Sequence, residues 1–166
     1  MKNKVPLIIV LGLLLINLVS NSCKKQNETT ISSLFSDGSW QLASILVTTT
    51  DSLIQVTDTL NTTCGSSQIF TFNADNTCTY TNFDCITQTT TGHWSLSKDQ
   101  LTLSSDMVCA DTTKAGKSQP FANAQVYNVG QYSLVLQTGN YNVIPTTINK
   151  TTVVRYGFIR QSTSIK

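Results

Sequence analysis

Charge is scarce in this chain. Only 12% of its 166 residues are acidic or basic, and it has one glutamate (Glu28) and one histidine (His93). Without a basic stripe there is nothing to follow a phosphate backbone, so nucleic acid is not expected as a partner. The formal charge of +2 rests on Lys2 and Lys4, and the chain beyond Cys23 is close to neutral. A single histidine and the lack of any Cys-x-x-Cys spacing argue against a zinc centre or a dithiol motif, and no cofactor or metal is expected. Asp37, Asp51, Asp75, Asp99 and Asp111 fall on turn signals, where such side chains bond the local backbone. A paired-carboxylate glycosidase site is therefore hard to build. Gly-x-Ser-x-Gly elbows, phosphate loops and calcium loops are also missing. His93 directly precedes Trp94, out of phase with the apolar positions of its segment, and is expected at the surface. No catalytic residue is assigned and no enzyme is expected.

Long apolar runs are equally rare, with one exception. After Lys2 and Lys4 comes VPLIIVLGLLLINLV, then Ser20, Asn21, Ser22 and Cys23. An apolar core of about fifteen residues suits a signal peptide and is short for a membrane-spanning helix. The small-residue exit before a cysteine resembles the lipobox of bacterial lipoproteins, in the relaxed form common in Bacteroidota, with Ser20 where leucine is usual. The resemblance implies cleavage after residue 22 and lipidation of Cys23, whose several acyl chains would give stable attachment to a membrane. Lys24, in place of an inner-membrane aspartate, implies the outer membrane. The lack of an acidic export run in KKQNE favours the periplasmic face over the cell surface. Residues 23–33 then read as a polar, lipidated tether, and 34–166 as the folded domain. Ile31, Leu34 and Phe35 are placed to form a short helical turn capping the bottom of that domain.

What the domain has in quantity is alternation. From Gln68 to Ser104, Phe, Tyr, Trp and Leu recur at every second position, the period of half-buried antiparallel strands. Threonine fills the alternate positions, where a β-branched side chain suits a pleated surface. Placing Asn76 in the left-handed conformation of an Asn73–Asn76 turn sets Phe72 opposite Cys78 and Phe70 opposite Tyr80, with all four on one face. Further strands are expected at 39–50, 53–60, 92–96 and 101–103, in a hairpin across Gly130-Gln131, and at 151–161. Neither face of 53–60 is cleanly apolar, which suggests an edge or a mouth. Residues 104–120 read as a long polar loop, and 139–150 as an ambiguous segment broken by Pro145. Eight or nine strands with no amphipathic helix describe an all-β sandwich or up-and-down barrel.

Five pieces in order carry a more specific likeness: Gly38-x-Trp40, the Phe70–Thr77 hairpin, Gly92-x-Trp94-x-Leu96, Leu101-x-Leu103, and a final aromatic strand ending in arginine. Together, over about residues 34–161, they resemble the lipocalin-like lipoproteins of Bacteroidota. That resemblance implies an antiparallel up-and-down β-barrel in which Arg155 or Arg160 stacks on Trp40.

Apart from Cys23, the cysteines are Cys64, Cys78, Cys85 and Cys109, an even number in an exported chain and thus two expected disulfides with three possible connectivities. Cys64 and Cys85 lie nearly equidistant from the hairpin turn and are expected to meet at a barrel mouth, leaving Cys78 for Cys109. Two functions stay open. One is a monomeric carrier or sensor of a small apolar ligand, with Trp40, Phe70, Phe72, Tyr80, Trp94 and Leu96 as candidate lining. The other is a structural or interaction module of the envelope with a filled barrel. An open apolar interior favours the first, and a packed interior the second.

Overall fold

The computed structural model describes residues 30–60, 62, 64–144, 146 and 149–161. The expected signal peptide, the expected lipidation site Cys23 and the expected tether as far as Thr29 lie outside the described residues. The Asn73–Asn76 turn forms as its residues dictate. Asn76 adopts φ 66°, the Asn73 amide donates to the Thr77 carbonyl at 2.8 Å, and Asp75 accepts from the Thr77 amide and hydroxyl at 3.0 and 2.6 Å. Those bonds hold the Asp75 carboxyl below its usual range, first through the Thr77 hydroxyl and then through its amide. Strands β3 (Ile69–Phe72) and β4 (Thr77–Thr81) therefore pair Phe70 with Tyr80 and Phe72 with Cys78, the expected register.

Before this hairpin come helix α1 (Ile31–Ser36), β1 (Ser39–Asp51) and β2 (Ile54–Leu60). After it come a 3-10 turn at Phe83–Cys85, β5 (Thr89–Leu96), β6 (Thr102–Ser105), β7 (Cys109–Ala110), β8 (Lys117–Ser118), β9 (Ala124–Val129), β10 (Ser133–Gly139) and β11 (Thr151–Arg160). The sheet runs β11-β10-β9-β6-β5-β4-β3-β1 and closes through a β1–β11 pairing. The result is an eight-stranded antiparallel barrel with β2 as an extra strand and β7–β8 as a separate small hairpin.

β1 does two jobs along its length. Ser39–Gln41 pair with β3, and Ile45–Asp51 pair with β2 on the same edge, because β11 occupies the other edge throughout. The β1–β2 hairpin and β11 thus rise beyond the barrel as a flap, with every residue of β2 exposed, which satisfies both the edge and the mouth reading. A bulge at Ala43, between the Leu42–Phe158 and Ser44–Gly157 pairs, shifts the phase of β1. The inward set is Trp40 and Leu42 below the bulge, and Ile45 and Val47 above it. Gly157 lies opposite Ser44 here, and a Cβ at 157 would require the Ser44 hydroxyl to turn away.

The closed end is built on Trp40, fully buried, whose Nε1 donates to the Phe35 carbonyl at 3.0 Å. Arg160 stacks 4.3 Å over the Trp40 ring, donates to the Leu34 carbonyl at 2.7 Å, and pairs with Asp37 at 3.6 Å. Gly38, at φ 116°, lets the chain turn beneath that guanidinium. Of the two arginines the sequence left open for this position, Arg160 takes it.

The expected polar loop at 104–120 is in part interior. Met107, Cys109 and Phe121 are buried, and Phe121 stacks on Phe70 at 5.0 Å. The segment bends inward over Gly92, where a Cβ would come within 2.6 Å of Asp106 Oδ1 and 2.9 Å of the Met107 backbone. This inward bend also corrects one disulfide expectation. Cys64 and Cys85 are bonded (Cα–Cα 5.3 Å), whereas Cys78 and Cys109 are buried free thiols. Cys78 pairs across from Gly92 and contacts Ser105 Oγ at 3.4 Å, while Cys109 bonds the Thr90 hydroxyl. Burial raises both thiols, Cys109 to about 11, so neither is a ready nucleophile. Gly92→Ala is expected to push this segment outward, at a cost of about 2 kcal/mol. A thiol reagent should then label Cys78 and Cys109 in the folded variant and leave the wild type unlabelled. Equal labelling of the two proteins would contradict the packing over Gly92.

Candidate functional site at the barrel mouth

Five of the six expected lining residues, Trp40, Phe70, Phe72, Tyr80 and Trp94, are buried and largely packed on one another. Phe70 and Phe72 lie 4.0 Å apart and Phe72 and Trp94 5.2 Å, and Trp94 Nε1 donates to the Asn73 carbonyl at 3.0 Å. Leu96 is half-buried against the same cluster. The lower barrel is thus filled by side chains, and none of the six lines the space at the mouth.

That space, about 210 Å³, opens at the other end, where β1 and β11 continue above the bulge. Ile45, Val47 and Leu60 form one wall, Val154 and Tyr156 a second, and Phe83 with the Cys64–Cys85 bond the third. Sequence reasoning missed Ile45 and Val47 because their inward phase depends on the Ala43 bulge. The apolar run Ile45-Leu46-Val47 was the available signal. Gln68 and Asp84 supply the polar rim. The buried Gln68 side chain accepts from the Asp84 amide at 3.1 Å, and Asp84 Oδ2 accepts from the Thr112 amide and hydroxyl, both at 2.6 Å. Gln88 extends the sheet as a strand backbone would, donating to the Phe83 and Ala110 carbonyls at 3.0 and 2.8 Å and accepting from the Ala110 amide at 2.9 Å.

Two phenols complete the region. Burial, and then the Asp84 carboxylate, raise the Tyr156 hydroxyl, which bonds Thr138, so it stays protonated across the physiological range. Burial, followed by the neighbouring Tyr156 and Cys109, puts the Tyr80 hydroxyl well above its ordinary value. The Tyr80 oxygen is buried without a hydrogen-bond partner. A space of this kind can take up a small apolar molecule and offer it the protonated Tyr156 phenol. Its polar lining is Gln68, Asp84 and the Tyr156 phenol.

His93 sits elsewhere, exposed on the outer face of β5 as expected. Its Nδ1 lies 3.1 Å from Asp106 Oδ2, and its amide donates to Oδ1 of the same carboxylate at 2.6 Å. These bonds lower the Asp106 carboxyl, the backbone bond first. The adjoining groove, about 550 Å³, lies over β4 and β5 and is lined by Thr77, Thr79, Thr91 and Val108 together with His93 and Asp106. Asp99 and Asp111 accept from Leu101 and Thr113 amides at 3.1 Å each, the local turn role expected of them. Among the described residues no cluster of three or more His, Cys, Asp or Glu is placed to hold a metal, and no helix is long and apolar enough to cross a membrane.

No curated protein matches this chain at a significant level. A family profile, the lipocalin-like domain, matches residues 37–156, from the turn before Trp40 to the mouth residue Tyr156. With a closed eight-stranded barrel, an arginine of the last strand stacked on the tryptophan of the first, and a match over more than half its length, the chain belongs to the lipocalin-like domain family.

Proposed function

We propose that this protein is a non-enzymatic carrier or sensor of the cell envelope, held on the outer membrane by acyl chains on Cys23, with the periplasmic face preferred. The observation that carries the ligand reading is the mouth cavity: apolar walls from β1, β2 and β11, closed on one side by a disulfide-held turn. Its volume is below the roughly 300 Å³ at which drug-sized pockets begin, so the ligand is small. It is uncharged and mainly apolar, with one polar group to meet a protonated phenol. The packed lower barrel favours a second reading, an interaction module that holds no ligand.

Native mass spectrometry of the full chain purified from a bacterial envelope separates the two. The expected species begins at Cys23, carries the added mass of its acyl chains, and retains a small copurified ligand that is lost from Val154→Trp. An unacylated chain would overturn the anchor. Protein that carries no ligand and gains no adduct from a library of small apolar compounds would overturn the carrier reading.

A further inference from the structure

The outer face of β10, β11 and β1 carries a second, chemically different groove. The turn after β10 folds back over this face, with the Asn140 amide donating to the Thr152 carbonyl at 2.8 Å, and encloses about 250 Å³. Thr48, Thr50 and Gln55 form the floor from the flap, Asn140 and Tyr141 the overhang, and Arg155 one end. The lining is amides, hydroxyls, two valines and one tyrosine ring, with Arg155 as its only charge.

Arg155 is held in place by other side chains. Its Nε donates to Gln137 Oε1 at 2.6 Å, and its guanidinium lies 4.2 Å over the Tyr127 ring. Gln137 points outward yet is only 6% exposed, and it donates onward to Gln125 at 2.9 Å. This relay fixes the plane of the guanidinium and uses its Nε. Among the described residues Arg155 makes no ion pair; the two pairs present belong to His93 and Arg160. A fixed guanidinium that has no ion pair among the described residues is matched by a planar carboxylate. The neighbouring amides and threonine hydroxyls, about 4.8 Å apart across strands and about 7 Å apart along one, suit the hydroxyls of a pyranose ring. Tyr141 and Val153 suit its C–H face.

We infer that this groove is a binding site for a carboxylate-bearing sugar, a uronic acid residue of a glycan. Arg155 takes the carboxylate, and Gln55, Asn140 and the threonines take the ring. The site is remote from the mouth cavity in composition and face, and it does not depend on that cavity holding a ligand.

Amide chemical shifts of the folded domain test the inference, with methyl glucuronide, methyl glucoside and acetate as probes. Methyl glucuronide should shift the amides of Asn140, Tyr141 and 151–155, and should bind about tenfold or more tightly than methyl glucoside or acetate, the scale of one charge-assisted contact. Arg155→Gln should reduce glucuronide binding to the glucoside level, and Gln55→Ala should weaken both sugars. Equal response to the two sugars, acetate matching the glucuronide, or no shift with any probe would each overturn the site. Should Arg155→Gln melt below the assay temperature, Gln55→Ala and Asn140→Ala decide, and unchanged glucuronide affinity in both would overturn it.

Discussion

Trp40→Ala is expected to lower the unfolding free energy by about 4 kcal/mol, which denaturant titration reads directly. Trp40 is fully buried in β1, opposite Phe70 on one side and Arg160 on the other, so it sits where the barrel closes. Truncation leaves a cavity the size of an indole among rings that are already close-packed. It also leaves the Phe35 carbonyl without its donor and Arg160 without the ring beneath it. Trp40→Phe separates these contributions: it keeps an aromatic face but loses the N–H bond, and should cost about 1–2 kcal/mol. A loss below about 1 kcal/mol in the alanine variant would mean that the closed end is held by something other than this stack.

The second large effect is expected from the disulfide. The double replacement Cys64→Ser with Cys85→Ser removes a link between residues 21 apart in sequence, and should cost about 3 kcal/mol by loop-closure arguments. The site gives a further reason to expect a loss. Asn82, Asp84 and Cys85 all have positive φ, at 59°, 53° and 61°, a conformation that non-glycine residues adopt at some cost. The covalent bond, with Gln68 and Gln88, holds that turn over the mouth. The variant should therefore show faster amide hydrogen exchange at 82–88, and reductant should move the wild type to the same midpoint. Coincident midpoints with and without reductant would assign the turn to the two glutamines alone.

Features that were legible in the sequence are those decided by a few adjacent residues. The Asn73–Asn76 turn fixes its register through its own side chains, and the pairing of Phe70 with Tyr80 follows from parity. The short helix at Ile31–Ser36 and the exposed His93 were visible on the same terms. The features that were not legible depend on distant partners. The Ala43 bulge is set by the pairing of β1 with Phe158 and Gly157 on β11. The interior course of 105–121 is hidden because Met107, Cys109 and Phe121 are isolated among polar residues. The β1–β2 turn falls where the strands expected at 39–50 and 53–60 leave it, but its use of positive φ at Ser52 and Leu53 carries no glycine or asparagine signal. Candidate site residues suffered from the same blindness. Large aromatics at alternate positions pointed to a lining, yet close packing consumed them as core, and the open space fell to smaller residues beyond the phase shift. The pair Arg155 and Arg160 shows the limit well: both stack on aromatic rings, one on the outside and one within, and strand parity alone did not say which.

The closed end has a practical corollary. Helix α1 enters there, and the last strand finishes there, with the Gln161 amide donating to the Ser39 carbonyl at 2.8 Å. The mouth, near Val47 and Val154, lies about 20 Å away along β1. A support joined close to Ile31 or Gln161, whether a purification tag or a sensor chip, attaches at the base. The opening lies at the other end, so immobilising the folded domain at those residues leaves the entrance free.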